Sequence, residues 1–261
     1  MLHACPQKIA VFLTLQTGAT RHPPVFCVPG AGNTAMSFAP LCGALGVEYT
    51  VHAFMPPGML DERSPHATVE EAAIEYLGEL RSVYPQGPYH LVGHSFGGWV
   101  AFEMARRASA ASVVIVDSDA PGRRQREYSD VDALLELASL FELHLGRPLN
   151  LRAADFASRA LDAQLQVLGR RAQADPDELA MIFAVFASNL RTTYLPPQRY
   201  PHAIDLVWAE RTAADSDTWL PWAPAQHVHR VAGNHATMLE SAHVASLARV
   251  LRAVWARVSG P

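Results

Sequence analysis

The sequence has few of the features that mark membrane-bound, secreted or nucleic-acid-binding proteins. No apolar run approaches the roughly 18–20 residues that a membrane-spanning helix needs. The formal charge of −4, with 12 histidines counted as neutral, leaves no basic surplus for a nucleic acid. Residues 1–10 lack the apolar segment of a secretory signal. These absences predict a soluble cytoplasmic protein that has neither a membrane nor a nucleic acid as its partner.

Cysteine is scarce as well. The three cysteines, Cys5, Cys27 and Cys42, cannot all pair with one another, and their spacing matches no metal-binding motif. Cys27 lies in an apolar run, where a buried and unreactive thiol is expected. The sequence therefore predicts no metal site.

What the sequence does contain is an alternation of short β-rich apolar runs with helical periodicity. This alternation is typical of an α/β protein with a mostly parallel sheet flanked by helices. Strands are predicted at residues 9–15, 24–28, 49–54, 89–92, 112–116, 204–208 and 227–231. Thr68 and Glu71 form a capping-box pattern that predicts the start of a helix between the third and fourth strands. With 261 residues, the chain is expected to form one domain around a large core.

The segment from about 121 to 197 breaks the alternation. Two apolar stripes at helical spacing run through it without a strand between them: Leu134, Leu137, Ala138, Phe141 and Leu145, then Met181, Ile182, Val185 and Phe186. An insertion of this kind between two strands cannot join the sheet, so we expect it to lie over the sheet. It is interpreted as a lid over an active site, with a helical layer that has no role in binding as the alternative.

Residues 89–98, Tyr-His-Leu-Val-Gly-His-Ser-Phe-Gly-Gly, carry the strongest chemical signal. An apolar strand leads into Gly93-x-Ser95-x-Gly97, and a segment compatible with a helix follows. This is the pattern of a nucleophile elbow, a strained and crowded turn that lifts a serine hydroxyl clear of a sheet. We therefore predict Ser95 as the nucleophile, against the alternative of an idle serine in a glycine-rich turn.

A serine needs a base, and the base needs an acid that holds it in one tautomer. His235 is predicted as the base, because it follows the last strand and so belongs at the same edge of a parallel sheet as Ser95. Asp117, at the end of the strand after the nucleophile helix, is favoured as the acid. Asp215 and Asp217, which follow the next strand, are the alternatives. Other histidines, His94 among them, are interpreted as structural or surface residues.

Two backbone N–H groups must also face the oxyanion that develops during acyl transfer. One is the N–H of Phe96, directly after the nucleophile. The other is expected from the glycine-rich turn after the second strand, where Ala31 is favoured and Gly30 is the next choice. Pro29 has no N–H to donate. The same turn lacks the lysine and the glycine spacing of a phosphate-binding loop, so no nucleotide cofactor is predicted.

With these motifs in place, the chain resembles the terminal (type I) thioesterase domains of nonribosomal peptide and polyketide synthases nearly from end to end. The resemblance rests on Leu-Thr-Leu-Gln-Thr-Gly at 13–18, Phe-Cys-Val-Pro-Gly-Ala-Gly at 26–32, Pro-Pro-Gly at 56–58, Val-Glu-Glu-Ala-Ala at 69–73, residues 87–98, and Gly-Asn-His-Ala-Thr-Met-Leu at 233–239. It implies an α/β-hydrolase fold and a Ser–Asp–His triad whose acid follows the next strand, where Asp117 stands. It also implies a helical lid at 121–197.

The resemblance further implies a substrate and a partner. The substrate would be an acyl or peptidyl thioester on the phosphopantetheine arm of a carrier protein, with no other cofactor. Ser95 would take the acyl chain and release it by hydrolysis or by macrocyclisation. No carrier domain with its own serine motif precedes the chain, which is therefore expected to be an excised domain or a discrete protein.

One departure from the family pattern keeps an alternative open. Many members have tryptophan before the nucleophile, whereas this chain has His94, as the free-standing editing (type II) thioesterases also do. Residues 56–58 and 87–89 and the position of Asp117 favour the terminal domains. The alternatives are a type II editing thioesterase, a generic carboxylesterase and a non-catalytic binding module that kept the hydrolase pocket.

Overall fold

The computed structural model describes residues 11–19, 22–59, 61–122, 127–157, 159–213 and 215–259. Seven strands lie in these ranges: β1 (Phe12–Gln16), β2 (Val25–Val28), β3 (Val51–Phe54), β4 (Tyr89–His94), β5 (Ala110–Val116), β6 (Ile204–Ala209) and β7 (Gln226–Val231). All seven predicted strands are confirmed within one or two residues where they can be compared. Residues 9 and 10 of the first predicted strand lie outside the described ranges.

The strands form one sheet in the order β1-β3-β2-β4-β5-β6-β7. β1 runs antiparallel to β3, and every other neighbouring pair is parallel. β2 and β4 lie side by side, but the chain continues from β2 to β3 on one side and from β4 to β5 on the other. Ligands of open α/β sheets bind beyond the carboxyl ends of the strands at such a topological switch point.

Helices cover both faces of the sheet, and this confirms the predicted α/β fold class. The helices are α1 (Ala39–Leu45), α2 (Val69–Val83), α3 (Phe96–Arg107), α4 (Asp130–Leu145), α5 (Ala153–Phe156), α6 (Leu161–Ala172), α7 (Pro176–Arg191) and α8 (Val244–Ser259). α1 and α8 pack on one face, α2 and α3 on the other. Within the described ranges, no helix combines the length and the apolar character needed to cross a bilayer.

Local sequence signals explain where these elements begin. Thr68 caps α2 by accepting a hydrogen bond from the Glu71 N–H at 3.1 Å, as the capping-box pattern predicts. The Glu71 carboxylate reaches back one residue further than expected and accepts from the Ala67 N–H at 3.0 Å. Cys27, in β2, is fully buried as predicted, and burial raises the pKa of its thiol.

Helices α4 to α7 occupy the segment between β5 and β6, where the sequence predicts an insertion. They share a hydrophobic cluster of their own, which includes Leu134, Leu137 and Ala138. Residues 123–126 and 158 of this segment lie outside the described ranges. An antiparallel bridge between Gly122 and Tyr194 joins its two ends.

Not every member of the two predicted stripes faces inward. Leu145, at the last position of α4, is 36% exposed, and Met181, on the outer side of α7, is 45% exposed. Val185 lies on the opposite side of α7 from the solvent and packs against the core of the sheet below. The buried face of α7 therefore does not include Met181. A single exposed apolar residue on a surface helix is common and needs no special explanation.

Candidate active site

Ser95 occupies the sharp turn between β4 and α3. Its backbone has φ 53° and ψ −126°, outside the conformations that non-glycine residues ordinarily adopt. Hydrogen bonds hold the turn: the Ser95 N–H donates to the Val116 carbonyl of β5 at 2.8 Å, and the Ser95 carbonyl accepts from the Gly98 N–H at 2.8 Å. The strain is thus supported by the neighbouring strand and by the first turn of the helix.

The two glycines of the elbow are required by space. A Cβ atom on Gly93 would stand 2.1 Å from the Gly97 carbonyl oxygen, and one on Gly97 would stand 2.3 Å from the Val28 carbonyl oxygen. Both distances are much shorter than a van der Waals contact. The contacted oxygens belong to the backbone, which cannot rotate away as a side chain could. The crowding that the sequence pattern predicts on either side of Ser95 is therefore present.

Asp117 follows β5, the strand next to β4. Its side chain is fully buried and its backbone φ is 47°. Oδ1 accepts a hydrogen bond from the Ala209 N–H at 2.9 Å, while Oδ2 accepts from the Thr212 hydroxyl at 2.9 Å and from His235 Nδ1 at 2.8 Å. Burial by itself raises the pKa of Asp117, but the hydrogen bonds from His235, Ala209 and Thr212 outweigh it and the net pKa is lowered. The carboxylate is therefore ionised near neutral pH.

His235 lies in the turn after β7. The Asn234 side chain shapes this turn by accepting hydrogen bonds from the backbone N–H groups of Ala236 at 2.9 Å and Thr237 at 3.0 Å. Because the ionised Asp117 accepts from Nδ1, that nitrogen carries the proton of the neutral ring. Nε2 is then the nitrogen with a lone pair for a substrate proton. The side chain is 27% exposed, so this nitrogen is not sealed in the core.

Ser95 and His235 open into the same cavity, of about 410 Å³. The turn after β2 forms one wall with Gly30, Ala31 and Gly32. The opposite wall is apolar and comes from α4 and α7: Leu137, Leu140, Phe141, Ile182 and Phe186. The insertion thus lies over the end of the sheet where Ser95 stands.

Of the two predicted oxyanion donors, Phe96 directly follows Ser95 and Ala31 lines the same cavity. Phe96 is the first residue of α3, so its N–H belongs to the helix turn that has no intrahelical acceptor. Ala31 lies in the turn after β2, and the proximity of this turn to Ser95 is shown by Gly30, where a Cβ atom would stand 3.2 Å from the Ser95 Cβ. A hydrogen bond of 3.0 Å from the Asn33 N–H to the Gly30 carbonyl closes the turn.

Asp215 and Asp217, the alternative acids, lie elsewhere. Both are exposed, and Asp215 caps a short 3₁₀-helix (Ser216–Trp219) by accepting from the Asp217 N–H at 3.0 Å. The loop that carries them is nonetheless close to the site, because its earlier residues Ala209 and Thr212 bind Asp117. Ala209 and Thr212 do not stand out in the sequence, because a backbone N–H and a hydroxyl are donors that any strand-end loop could supply.

His94 belongs to the site, although the sequence suggested only a structural or surface role. It is 4% exposed, its Nε2 lies 3.1 Å from the His235 carbonyl oxygen, and the two imidazole rings are 5.0 Å apart. Burial, and then the neighbouring His235, lower the pKa of His94 to about 3. A neutral His94 can thus donate from Nε2 to the backbone of His235. The sequence feature that could have placed His94 in the site is its position directly before Ser95 at the end of a strand.

Comparisons with known proteins bear on the family and the fold of the chain. A family model described as a thioesterase domain matches residues 23–254. The chondramide synthase of Chondromyces crocatus is 28% identical over 256 residues, which cover 88% of this chain and 6% of that protein. The chain therefore spans only a small part of the length of such relatives.

Solved structures share the fold. A four-domain nonribosomal peptide synthetase bound to AMP and glycine superimposes with a TM-score of 0.81 at 22% identity, over 94% of this chain and 20% of that one. The type II thioesterase of the borrelidin biosynthetic cluster gives a TM-score of 0.70 at 20% identity, over 96% and 99%. At such identities the likeness shows the α/β-hydrolase fold alone, and it extends to a multidomain synthetase and to a type II enzyme alike.

Proposed function

The chain belongs to the thioesterase domain family of hydrolases, and from this premise we propose that it releases an acyl or peptidyl chain from the phosphopantetheine thioester of a carrier protein through an acyl-enzyme on Ser95. One observation carries the proposal. Ser95 and His235 share one cavity with an apolar wall, and His235 is hydrogen-bonded at 2.8 Å to the buried Asp117. The proposed nucleophile, acid and base thus follow the carboxyl ends of three parallel strands, β4, β5 and β7.

In the first half-reaction, Ser95 Oγ attacks the thioester carbonyl carbon while His235 Nε2 takes the hydroxyl proton. Asp117 stabilises the resulting imidazolium without itself taking a proton, in keeping with its lowered pKa. The N–H groups of Phe96 and Ala31 hold the oxyanion of the tetrahedral intermediate. The C–S bond then breaks, the leaving thiolate takes the proton from His235, and an ester on Ser95 remains.

In the second half-reaction, His235 takes a proton from the attacking group. Water as that group gives the free acid, whereas an amine or hydroxyl of the acyl chain itself gives a ring. The new bond to the carbonyl carbon replaces the bond to Ser95 Oγ, which regains its proton from His235. The outcome depends on how well the cavity excludes water and folds the chain back on itself.

The proposal also assigns a role to the insertion. We propose one domain for the chain, in which the segment from about 121 to 197 is the lid that encloses the acyl chain. A cavity of about 410 Å³ has the size of an ordinary small-molecule site, for which the usual range is about 300–1,000 Å³. A carrier protein in the cytoplasm is the proposed partner, and the substrate's phosphopantetheine arm is the only cofactor that the mechanism uses.

Intact-mass analysis tests the acyl-enzyme. After incubation with an N-acetylcysteamine thioester of a medium-length acyl chain, the wild-type protein should gain the mass of the acyl group, and peptide mapping should place it on Ser95. Ser95→Ala should lose both the adduct and the turnover, by at least about 10⁴-fold. Ser37→Ala is the matched control, because Ser37 lines the same cavity but its hydroxyl donates to the Thr34 carbonyl.

Two outcomes would overturn parts of the proposal. Turnover by Ser95→Ala at the wild-type rate would end the nucleophile assignment. Preferential cleavage of acetyl over longer chains would instead favour an editing thioesterase, the function to which His94 before the nucleophile also points.

A further inference from the structure

The turn that follows β6, residues 209–212, contacts both oxygens of the Asp117 carboxylate. The Ala209 N–H donates to Oδ1 at 2.9 Å, and the Thr212 hydroxyl donates to Oδ2 at 2.9 Å. His235 Nδ1 lies 2.8 Å from the same Oδ2. Thr212 and His235 therefore share one oxygen of a carboxylate that water does not reach.

The turn is itself held in place from β7. The Thr212 N–H donates to the Ala209 carbonyl at 3.1 Å. Arg230 Nη1 then donates to both carbonyls of the turn, to Ala209 at 3.0 Å and to Thr212 at 2.9 Å. Arg230 belongs to the strand that leads directly into His235. One strand end thus carries the base and also fixes the turn that binds the acid.

From this geometry we propose that Thr212 is a positioning residue for the catalytic pair, because its hydroxyl fixes Asp117 Oδ2 in the direction of His235 Nδ1. The inference rests on the proposed function, in which His235 is the base. A carboxyl group can rotate about its last torsion; the Ala209 N–H opposes this rotation at Oδ1, and the Thr212 hydroxyl adds a second restraint at Oδ2, the oxygen that binds His235. Without Thr212, one backbone hydrogen bond, from Ala209, and the imidazole itself would be left to orient the carboxylate.

The electrostatics of the pair support the assignment. A hydrogen bond to an ionised acceptor is about twice as strong as one between neutral groups. The Thr212 hydroxyl is one of the groups that lower the pKa of Asp117 against the opposing effect of burial. It also takes up part of the carboxylate charge that would otherwise act on His235 alone. Removing it should leave more of that charge to favour the protonated imidazole.

Three variants test the proposal. Thr212→Val removes the hydroxyl and keeps the branched shape, and Thr212→Ser restores the hydroxyl. Thr218→Val is the matched control, since Thr218 follows the same strand but its hydroxyl donates to the Asp215 carbonyl at 2.7 Å. We expect kcat/KM of Thr212→Val to fall about 10-fold, chiefly in kcat, as the loss of one bond to a charged group predicts. Thr212→Ser should stay within about 3-fold, and Thr218→Val should match the wild type.

The pH dependence separates positioning from a general loss of structure. The acid limb of kcat/KM should move to higher pH in Thr212→Val and stay in place in Thr212→Ser. The variant leaves unchanged the other titratable or charged groups near the pair and its cavity: His94, His144, Arg230 and Glu240. A shift of the limb therefore reports the Asp117–His235 contact. Thermal unfolding checks that each variant is folded.

A readout on the resting protein makes the outcome independent of catalysis. The His235 Nδ1 proton should give a downfield NMR resonance that broadens in Thr212→Val and is restored in Thr212→Ser. An unchanged resonance and acid limb in Thr212→Val, or equal damage in Thr212→Ser, would overturn the role of Thr212. If Ser95 still forms its acyl adduct in that case, only this inference fails. If no adduct forms on the wild type, the proposed function fails, while the resonance still decides the role of Thr212.

Discussion

Two regions of the molecule line the same cavity, and they are held together in different ways. One is the catalytic edge, which we define as the turns after β2, β4, β5 and β7 that carry Ala31, Ser95, Asp117 and His235. The other is the helical insertion between β5 and β6. Geometry at the catalytic edge is set by backbone: Ser95 and Asp117 have positive φ angles, and both elbow glycines abut carbonyl oxygens. In the insertion, by contrast, the order comes from an apolar cluster of its own.

Among the residues that the structure describes, few direct polar contacts join the two regions, and they lie near the surface. The Asn234 side chain donates to the Leu143 carbonyl at the end of α4 at 3.1 Å. His144 and Glu240 come within 2.7 Å of each other, and their side chains are 57% and 40% exposed. Exposed pairs of this kind contribute little stability. Under the proposed function, the chemistry and the choice of acyl chain therefore belong to parts of the molecule that can change separately.

The largest effect should come from breaking the catalytic edge at its acid. Asp117→Asn keeps the shape of the side chain but offers His235 an amide, which favours the wrong tautomer. We expect kcat to fall by roughly 10⁴-fold, as in serine proteases with this change. Asp215→Asn and Asp217→Asn are the controls, and steady-state kinetics should find both near the wild type. Loss of activity in Asp215→Asn or Asp217→Asn would instead assign the role of the acid to the loop after β6.

A smaller effect should come from the insertion and leave the chemistry intact. Ile182 lines the cavity, whereas its neighbour Met181 is 45% exposed. Ile182→Trp should change the ratio of kcat/KM between short and long acyl thioesters by about 10-fold, since filling a pocket costs on the order of 1–3 kcal/mol. Met181→Trp should not change it. The rate of Ser95 labelling by a small fluorophosphonate should be the same in both variants. Slower labelling of Ile182→Trp would mean that the two regions are coupled.

The smallest effect concerns two histidines on β4, one at the catalytic edge and one within the sheet. Burial lowers the pKa of His94 to about 3 and that of His90 to about 4, with smaller contributions from neighbouring histidines. An unfolded histidine titrates near 6.5, so between about pH 4 and 6.5 the unfolded chain binds more protons. The contribution of these two histidines to the free energy of unfolding is therefore most favourable above this window, and it is lost as the pH falls through it.

Replacing either histidine with phenylalanine should reduce the slope of the free energy of unfolding against pH in this window by about 1 kcal/mol per pH unit. Urea unfolding at a series of pH values measures the slope. Activity at neutral pH then separates the two sites: His94→Phe loses the donor to the His235 carbonyl and its kcat should fall about 3-fold, whereas His90→Phe should keep its activity. Equal activity in the two variants would remove His94 from the catalytic edge.

Much of the fold could be predicted from the sequence, because its signals are local. Strands buried on both faces appear as continuous apolar runs such as residues 113–116, and a helix start such as Thr68 needs only the few residues that follow it. The residue pattern of the elbow is local too, although only the crowding at Gly93 arises between residues close in the chain; the crowding at Gly97 comes from Val28 in β2. These local patterns are enough to predict the class of protein and to predict Ser95 as its nucleophile.

Only the tertiary structure could decide which groups meet at the carboxyl edge of the sheet. Asp117 and Asp215 follow adjacent parallel strands, so chain order alone allowed either to approach His235. The choice is made by the positive φ of Asp117 and by its buried bonds to a turn more than ninety residues away. The contact of His94 with the His235 backbone spans 141 residues. Local periodicity carries no information about such pairs, because their distances depend on strand order and register, which the packing of the whole sheet sets.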